Sequence, residues 1–488
     1  MYYMSTRGGK TRVTAGEAIV KGIAPDGGLY VPEAIPGLDI APEMLAGLSY
    51  KALAYEVLRL YLTDFTEAEL RDCIEGAYGQ GFDDPQVAPV VEANGAYFLE
   101  LFHGRTLAFK DMALSILPRF MMTAAKKLGI DKEICILTAT SGDTGKAALS
   151  GFADVPGTRI IVFYPDGGVS EVQRLQMVTQ EGDNTCVVGV RGNFDDAQTG
   201  VKQIFTDEAF AKELDAKGIW LSSANSINIG RLVPQIVYYF YAYGRMVATG
   251  AVKAGEEINF VVPTGNFGNI LAGYYAQQMG LPVKILLCAS NSNRVLHDFF
   301  STAVYDKNRQ FMLTASPSMD ILVSSNLERL LYSLSGDGAE VGGLMRALNT
   351  EGKYVFDAKE SGIVSEFASE AETMEAIAEM GEAGYVMDTH TAVAYKAWRK
   401  YQAASNDDTK TVVVSTASPY KFGGDVCKAL TGGDYSKHAP NALFVELAKL
   451  SNVPVPEAIA GLAQMPVRHN TVCGKDEMQD IVRKVLSV

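Results

Sequence analysis

Short apolar and β-branched runs alternate with longer amphipathic stretches along most of this 488-residue chain. The runs that predict strands are residues 134–137, 160–163, 186–190, 258–262, 283–287 and 411–414. Segments with helical apolar spacing follow most of them, for example after Thr144 and after Asn269. Strands that alternate with helices in this way predict an α/β fold with mostly parallel strands.

The two ends of the chain differ from this alternating middle part. Residues 41–80 have helical apolar spacing, and the residues after Cys427 predict helices joined by proline-containing turns. The alanine- and glutamate-rich stretch 366–384 predicts a surface helix. We therefore expect an N-terminal helical domain (1–95), a smaller α/β domain (96–245), a larger α/β domain (246–425) and a C-terminal helical extension (426–488).

Charge and cysteine usage restrict the possible partners. A formal net charge of −14 and a pI near 5.0 argue against a nucleic-acid-binding or anionic-membrane-binding surface. No apolar run is long enough to span a bilayer or to form the core of a signal peptide. The six cysteines are scattered without a CxxC pair, so neither a zinc site nor a disulfide framework is predicted. We expect a soluble, cytoplasmic protein without a metal.

Three segments combine a strand, a loop of small residues and a helix: residues 138–145, 263–269 and 415–419. Backbone N–H groups at the start of a helix bind phosphate or carboxylate well. A single loop of this kind is usually only a turn, and none of the three matches the P-loop or the GxGxxG signature. Two such loops in one α/β chain favour a phosphorylated cofactor together with an acidic substrate.

Lys110 is the candidate reactive group. It follows Leu107, Ala108 and Phe109 at the predicted start of a helix. Apolar neighbours and the positive end of a helix both disfavour an ammonium ion, so they lower the pKa of the lysine and leave a nucleophilic amine. The alternative is a solvated lysine partnered with Asp111, which is the commoner situation for this residue type.

The segment 103–111, HGRTLAFKD, resembles the cofactor-lysine motif of the threonine synthases, HGPTxAFKD. Residues 141–145 (SGDTG) and 265–269 (GNFGN) resemble the substrate-facing loop and the phosphate-binding loop of that family. Further similar segments are STRG (5–8), EVQRLQM (171–177), GNFDDAQ (192–198), NSIN (225–228), GRLVPQ (230–235) and SSNLER (324–329). The resemblance runs in order from residue 5 to residue 422, and the combination of motifs is highly specific.

The resemblance implies the fold-type II architecture of pyridoxal-phosphate enzymes, similar to the β-subunit of tryptophan synthase. Two open, twisted α/β domains would flank the cofactor, pyridoxal 5'-phosphate, and a further domain would precede them. The smaller domain would carry Lys110 and the 141–145 loop, and the larger one the 265–269 loop. The implied lyase reaction converts O-phospho-L-homoserine and water to L-threonine and phosphate by β,γ-elimination and hydration.

The resemblance also implies how the cofactor is held. Lys110 would bind it as a Schiff base and, once free, would remove the Cα proton of the substrate. Thr416 would bond the pyridine nitrogen and keep the ring essentially unprotonated, which makes it a weaker electron sink. The cofactor phosphate would be bound by Gly265, Asn266, Phe267, Gly268 and Asn269.

Two groups of residues are expected to hold the substrate. The carboxylate would be held or bordered by Ser141, Gly142, Asp143 and Thr144. The substrate phosphate needs cations, and the candidates in family-like segments are Arg7, Arg174, Arg231 and Lys421, with hydroxyl groups from Ser5 and Thr6. Each cation could equally be a surface or interdomain ion-pair partner.

Three positions call for separate expectations. Arg105 replaces the proline of the family motif, and we expect its side chain to point outward. Asp143 stands where many fold-type II relatives have asparagine, facing the phenolic oxygen of the cofactor. Because an ionised carboxylate there would repel a phenolate, we predict that it turns away or pairs with a cation. His390 lies in a family-like segment, but a lone histidine is more often structural.

Three rival functions stay open on the sequence. Another fold-type II lyase, such as threonine dehydratase or cysteate synthase, would differ in whether it turns over phosphohomoserine, phosphoserine or threonine. An inactive cofactor-binding homologue would release no phosphate. A binder of sugar or nucleotide phosphates would lack absorbance near 410–420 nm (about the range of a protonated Schiff base of this cofactor). The sequence leaves open whether the chain is a monomer or a homodimer.

Overall fold

A computed structural model describes residues 1–488, with the exception of the Asp195 side chain. The six predicted strands are confirmed, each slightly longer than predicted. The strands are β1 (Tyr3–Ser5), β2 (Tyr30–Pro32), β3 (Val90–Ala93), β4 (Ala96–Glu100), β5 (Glu133–Ala139), β6 (Thr158–Pro165), β7 (Thr185–Arg191), β8 (Ile219–Ser222), β9 (Ile258–Pro263), β10 (Val283–Ser290), β11 (Val304–Asp306), β12 (Lys353–Val355), β13 (Ile363–Phe367), β14 (Thr411–Ser415) and β15 (Thr471–Gly474).

Helices follow most strands and dominate both ends of the chain, as predicted. They are α1 (Ala15–Lys21), α2 (Pro42–Leu45), α3 (Tyr50–Tyr61), α4 (Glu67–Tyr78), α5 (Asp111–Leu114), α6 (Leu117–Lys127), α7 (Asp143–Phe152), α8 (Glu171–Val178), α9 (Phe194–Thr206), α10 (Glu208–Ala216), α11 (Ile229–Ala248), α12 (Gly268–Gln278), α13 (Val295–Thr302), α14 (Leu327–Ser335), α15 (Gly338–Thr350), α16 (Glu370–Glu382), α17 (Thr389–Ser405), α18 (Gly423–Thr431), α19 (Pro440–Ser451), α20 (Glu457–Ala460) and α21 (Met478–Leu486). Short 3₁₀ turns occur at Pro317–Met319, Lys359–Ser361, Pro419–Phe422, Leu462–Gln464 and Lys475–Glu477. No helix of the described residues is long and apolar enough to cross a membrane.

The larger sheet has six strands in the order β13–β10–β9–β14–β4–β3, all parallel except β3. Strand β4 belongs to the smaller domain in the division expected from the sequence, but it pairs with β14 here, Phe98 opposite Val413. A tight turn at Asn94 and Gly95 folds β3 back on β4, and both residues have positive φ. Four of the five residues of β4 are buried, which fits a strand between two neighbours.

The smaller sheet has five parallel strands in the order β15–β7–β6–β5–β8. Its edge strand β15 comes from the C-terminal segment, which the sequence predicts to be helical only. This strand is four residues long with one buried side chain, too short to give an alternating pattern. It pairs with β7 through Thr471 opposite Val188, so the end of the chain returns to the smaller domain.

Helix α11 connects the two α/β parts and carries several polar groups into the interior. Almost all of its residues are buried, because it packs against α12 on one side and against α3 of the N-terminal region on another. Arg231, Tyr238 and Tyr239 are among its buried side chains. Buried polar groups need hydrogen-bond partners. The presence of these three side chains therefore indicates a polar site inside the fold.

Candidate active site

Three loops meet at one edge of the larger sheet. The strands β9, β14 and β4 are neighbours in this sheet, and the chain leaves them through residues 264–267, 416–418 and 101–110. The carboxyl ends of parallel strands lie at the same edge, where open α/β sheets bind their ligands. The topology therefore places Gly265, Thr416 and Lys110 at one edge, although they are far apart in sequence.

The loop that carries Lys110 runs antiparallel to the loop after β14. The Phe109 N–H donates to the Thr416 carbonyl oxygen over 2.8 Å, and the Ser418 N–H donates to the Leu107 carbonyl oxygen over 3.0 Å. These bonds fix Lys110 close to Thr416. The Thr416 side chain is almost entirely buried, and its hydroxyl has no partner among the described residues, so it is available to a ligand.

The amine of Lys110 lies in a poorly solvated, positively charged environment. Its side chain is half-buried by surface area, yet protein surrounds the Nζ atom, which lies 4.1 Å from the centroid of the Phe109 ring. Burial and the charge of Arg231 lower the pKa of Lys110, Asp143 raises it and Lys421 lowers it, to a net value of about 8. The predicted lowering is confirmed, and about a tenth of this amine is neutral at pH 7, far more than of an ordinary lysine.

The loop between β9 and α12 is held by the segment that follows the Pro317–Met319 turn. The Ser324 hydroxyl donates to the Gly265 carbonyl oxygen over 2.7 Å, and the Asn326 side chain donates to the Asn266 carbonyl oxygen over 2.9 Å. A Cβ atom at Gly265 would lie 2.4 Å from the Ser318 carbonyl oxygen, so the loop requires glycine there. The backbone N–H groups at the start of α12 are therefore rigidly placed for an anion.

Asn269, in the first turn of α12, supplies a further donor. Tyr238 and Tyr239 both donate their hydroxyl protons to its Oδ1 atom, over 2.7 and 2.8 Å. This orientation leaves Nδ2 buried without a partner among the described residues. Since a buried unpaired donor costs about 1–3 kcal/mol, this amide suits a ligand oxygen such as that of a phosphate.

The loop between β5 and α7 presents free hydroxyl groups. The Thr140 hydroxyl accepts the N–H groups of Gly142 and Gly145 over 2.9 and 2.8 Å, which closes the turn. Gly142 has a φ of 133°, and a Cβ atom there would lie 2.4 Å from the Gln173 side chain, so this turn too requires glycine. Ser141 and Thr144 are half-buried, and their hydroxyls have no partner in the described part of the chain.

Asp143 pairs with a cation, which is one of the two outcomes predicted for it. Its Oδ1 atom lies 2.9 Å from Lys421 Nζ and accepts a hydrogen bond from Gln173 Nε2 over 3.0 Å. Burial would raise the pKa of this carboxyl, but Lys421 and Gln173 hold it at about 2. The remaining oxygen is approached by the Ser318 hydroxyl at 3.4 Å.

Of the candidate cations, the structure brings Arg231 and Lys421 close to Lys110. Arg231 is buried at the start of α11, where Nη1 donates to the Ala224 carbonyl oxygen over 2.6 Å. Its Nε has no partner, and no carboxylate pairs with it among the described residues. Among the charges that act on Lys110, Arg231 and Lys421 are positive and Asp143 is negative, an excess of positive charge that suits an anionic ligand.

The other candidates from the sequence are engaged elsewhere. Arg7 forms two hydrogen bonds with Glu328, both over 2.9 Å, and the Thr6 hydroxyl donates to the same carboxylate. The Ser5 hydroxyl donates to Asp26. Arg174 is partly exposed and forms a bidentate pair with Glu171.

Arg105 and His390 occupy structural positions. Arg105 is exposed, as predicted, and lines a cavity of about 550 Å³ between α4, α6 and α7 that Lys110 does not line. His390 is buried, with Nδ1 2.8 Å from Asp388 and Nε2 accepting the Ser318 N–H over 3.1 Å. It thus fixes the backbone that contacts Gly265.

Several residues that shape the site carry no signal in the sequence motifs used above. They are Tyr238, Tyr239 and Ser318, whereas Gln173, Gln176 and Asn326 lie within family-like segments but were given no role. Tyr238 and Tyr239 lie three and four residues beyond the family-like segment 230–235, and the pattern predicts only apolar helix residues there. A polar side chain within an otherwise apolar, buried helix is the one sequence signal that could have pointed to them.

The donors present fit the phosphate of pyridoxal phosphate, because a rigid N–H loop, an unpaired amide and an excess of cations converge beside a lysine of lowered pKa. The comparisons agree with this class of protein. The family model for pyridoxal-phosphate dependent enzymes matches residues 85–417, and the models for the threonine synthase N terminus and C-terminal part match residues 2–78 and 391–483. The fold and the cofactor are those of fold-type II pyridoxal-phosphate enzymes.

Individual relatives narrow the class. Threonine synthase of Saccharomyces cerevisiae is 36% identical over 92% of this chain and 93% of its own length. The structure of the pyridoxal-phosphate-bound threonine synthase of Brucella melitensis is 35% identical and superposes with a TM-score of 0.86, covering 100% of this chain and 99% of the other. Human threonine synthase-like 1 is 38% identical over 91% of this chain. The chain spans 61% of the length of that relative. The chain belongs to the threonine synthase family.

Proposed function

We propose that this chain converts O-phospho-L-homoserine and water into L-threonine and phosphate, with pyridoxal phosphate bound to Lys110 as a Schiff base. The proposal depends above all on one observation, the poorly solvated Lys110 amine with a pKa of about 8 among buried cations. A neutral amine is the form that attacks the aldehyde, and the excess positive charge suits two phosphate groups, one from the cofactor and one from the substrate.

The cofactor, when bound, supplies an electron-withdrawing ring that acidifies the C–H bonds of the substrate and so allows its phosphate to leave. The Gly265–Asn269 loop would hold the cofactor phosphate through the N–H groups of α12 and the free Nδ2 of Asn269. The free hydroxyl of Thr416 would bond the pyridine nitrogen. These assignments follow the family motif, and the donors described above support them.

Lys110 would also move the substrate protons. Once substrate has displaced it, its amine can accept the Cα proton and return it later, since a group with a pKa near the working pH serves in both directions. The hydroxyls of Ser141 and Thr144 and the N–H group of Asp143 would bind the substrate carboxylate at the start of α7. Gly142 would border the carboxylate, since its own N–H donates to the Thr140 hydroxyl. Enclosure of the amine by protein would keep bulk water from these protons.

Arg231 is our first candidate for the substrate phosphate, because it is buried beside Lys110 and has no carboxylate partner among the described residues. Lys421, Arg7 and Arg174, and with them the hydroxyls of Ser5 and Thr6, stay predictions, although each of these groups already has a protein partner. The fourfold domain division, a cytoplasmic location and a monomeric or homodimeric state also belong to the proposal.

The proposal is tested on the purified chain with pyridoxal phosphate. We expect absorbance near 410–420 nm (about the range of the protonated linkage) and, after borohydride reduction, a pyridoxyl adduct on the peptide that contains Lys110. We expect phosphate release from phosphohomoserine, and none of these signals in Lys110→Ala. An adduct on another lysine would refute the assignment of Lys110. Turnover of phosphoserine or threonine instead of phosphohomoserine would refute the reaction but not the cofactor.

A further inference from the structure

Lys421 is the most completely enclosed cation of the site, and all its donors are in use. Its side chain is fully buried. Nζ donates to the Thr106 carbonyl oxygen, to Gln176 Oε1 and to Asp143 Oδ1, each over 2.9 Å. An ammonium group has three N–H donors, so none remains for a substrate phosphate.

The three acceptors belong to three different segments. Thr106 lies in the loop that carries Lys110, Gln176 lies on α8, and Asp143 opens α7 behind the substrate loop. Lys421 itself lies in the Pro419–Phe422 turn, a few residues beyond Thr416. One side chain therefore connects the loop of the cofactor lysine, the predicted partner of the cofactor ring and the predicted substrate loop.

Asp143 completes this arrangement from the other side. The Gln173 side chain accepts the Ser170 N–H at Oε1, in the capping box of α8, and donates to Asp143 through Nε2. The Ser318 hydroxyl approaches the second oxygen, and Ser318 is the residue that contacts Gly265. The carboxylate is thus fixed by groups from both α/β parts of the chain.

We infer that Lys421 and Asp143 act as a pair of positioning residues that fix the substrate loop 141–144 against Lys110 and balance the charge at its amine. The inference rests on the proposed function for its kinetic part only. The negative charge of Asp143 and the positive charge of Lys421 both act on the Lys110 amine, and so does the positive charge of Arg231 on α11. Lys421 also acts on Asp111 and Lys146.

The pair makes a prediction of opposite signs that a purely structural ion pair does not make. Asp143→Asn removes the negative charge and should lower the pKa of Lys110, whereas Lys421→Met removes a positive charge and should raise it. Each change in the pKa of Lys110 should be roughly one unit, as expected for the loss of one nearby charge. The double variant should lie close to the wild type, because both charges are absent.

The test uses the cofactor-free chain and needs no enzymatic activity. The rate of Lys110 acetylation by acetic anhydride is measured by mass spectrometry as a function of pH for the wild type, both single variants and the double variant. Lys284→Met is the matched control. It removes an ion pair with the buried Asp407, but Lys284 lies at the amino end of β10, away from the edge of the sheet that carries the site. Its profile of Lys110 labelling against pH should match that of the wild type. Single variants that shift in the same direction, or not at all, would overturn the inference.

Kinetics with phosphohomoserine provide the second readout. Misplacement of the substrate loop should lower kcat/KM by roughly 100-fold in each single variant. The kcat/KM of the double variant should be no lower than that of the less active single variant, since the pair acts as a unit. A rise in KM alone with an unchanged labelling profile would make Lys421 a substrate-phosphate ligand and overturn the inference.

If Lys421→Met does not fold, Asp143→Asn, which keeps the side-chain shape, decides by its labelling profile. Opposite labelling shifts without any turnover would refute the proposed function and leave the pair intact.

Discussion

The replacement of Gly265 by alanine tests the rigidity of the proposed cofactor loop. A Cβ atom at this position would lie 2.4 Å from the Ser318 carbonyl oxygen and 3.4 Å from Met319 Cα. Neither atom can move easily. The Ser318 N–H donates a hydrogen bond to His390 Nε2 over 3.1 Å, and both Ser318 and Met319 lie in the Pro317–Met319 turn. The clash therefore has to be relieved by the loop itself.

Gly268, three residues further on, provides the matched control. A Cβ atom there would meet Asn326 Nδ2 at 3.5 Å and Gln235 Nε2 at 3.8 Å, which are ordinary contacts. Overpacking of an ordered site costs about 1–3 kcal/mol, whereas a tolerated substitution changes stability by about 0.5 kcal/mol or less. The two variants differ by one methyl group each, so the difference reports on the surroundings.

The assays are denaturant unfolding of the cofactor-free chain and equilibrium titration with pyridoxal phosphate followed by visible absorbance. We expect Gly265→Ala to unfold at lower denaturant concentration because of the clash. We also expect it to bind the cofactor about 10- to 150-fold more weakly, because the shifted loop loses a hydrogen bond to the charged phosphate, worth about 1.5–3 kcal/mol. Gly268→Ala should unfold like the wild type. Wild-type unfolding and wild-type cofactor affinity in Gly265→Ala would refute the argument that this loop is held rigidly by Ser318.

Further predictions concern charge. Burial would lower the pKa of His103, but hydrogen bonds to Asp83 and Glu100 raise it to about 9. Because the folded pKa lies above the ordinary value of 6.5, this stabilisation is fully present below pH 6.5 and is lost as the pH rises through 9. His103→Gln should remove up to about 3 kcal/mol of this pH dependence, and equal slopes of unfolding free energy against pH in both proteins would contradict it. Arg231→Met should lower kcat/KM for phosphohomoserine roughly 100-fold, as expected for a lost hydrogen bond to a charged group; a change below about threefold would exclude it as the phosphate ligand. Arg174→Gln removes only a partly exposed ion pair and should change kcat/KM by about twofold or less, so a large loss would restore it as a candidate.

The sequence by itself determined those parts of the site that depend on local chemistry. The apolar neighbours of Lys110 at a helix start predict a lowered pKa, and the structure confirms it. The need for Asp143 to avoid a negative neighbour predicts that it turns away or pairs with a cation, and in the structure it pairs with Lys421. The alternating pattern also predicts six strands correctly, because strand and helix periodicity are properties of neighbouring residues.

Only the tertiary structure decided which distant groups meet. No local pattern indicates that β4 joins β14 or that β15 returns to β7, since a strand carries no record of its partner in its own periodicity. The four candidate cations look alike in sequence, and they differ only once folding gives Arg7 and Arg174 a carboxylate, saturates the donors of Lys421 and leaves Arg231 buried without one. Ion pairing and desolvation depend on the positions of residues up to several hundred places apart in sequence, so they arise only when the chain has folded.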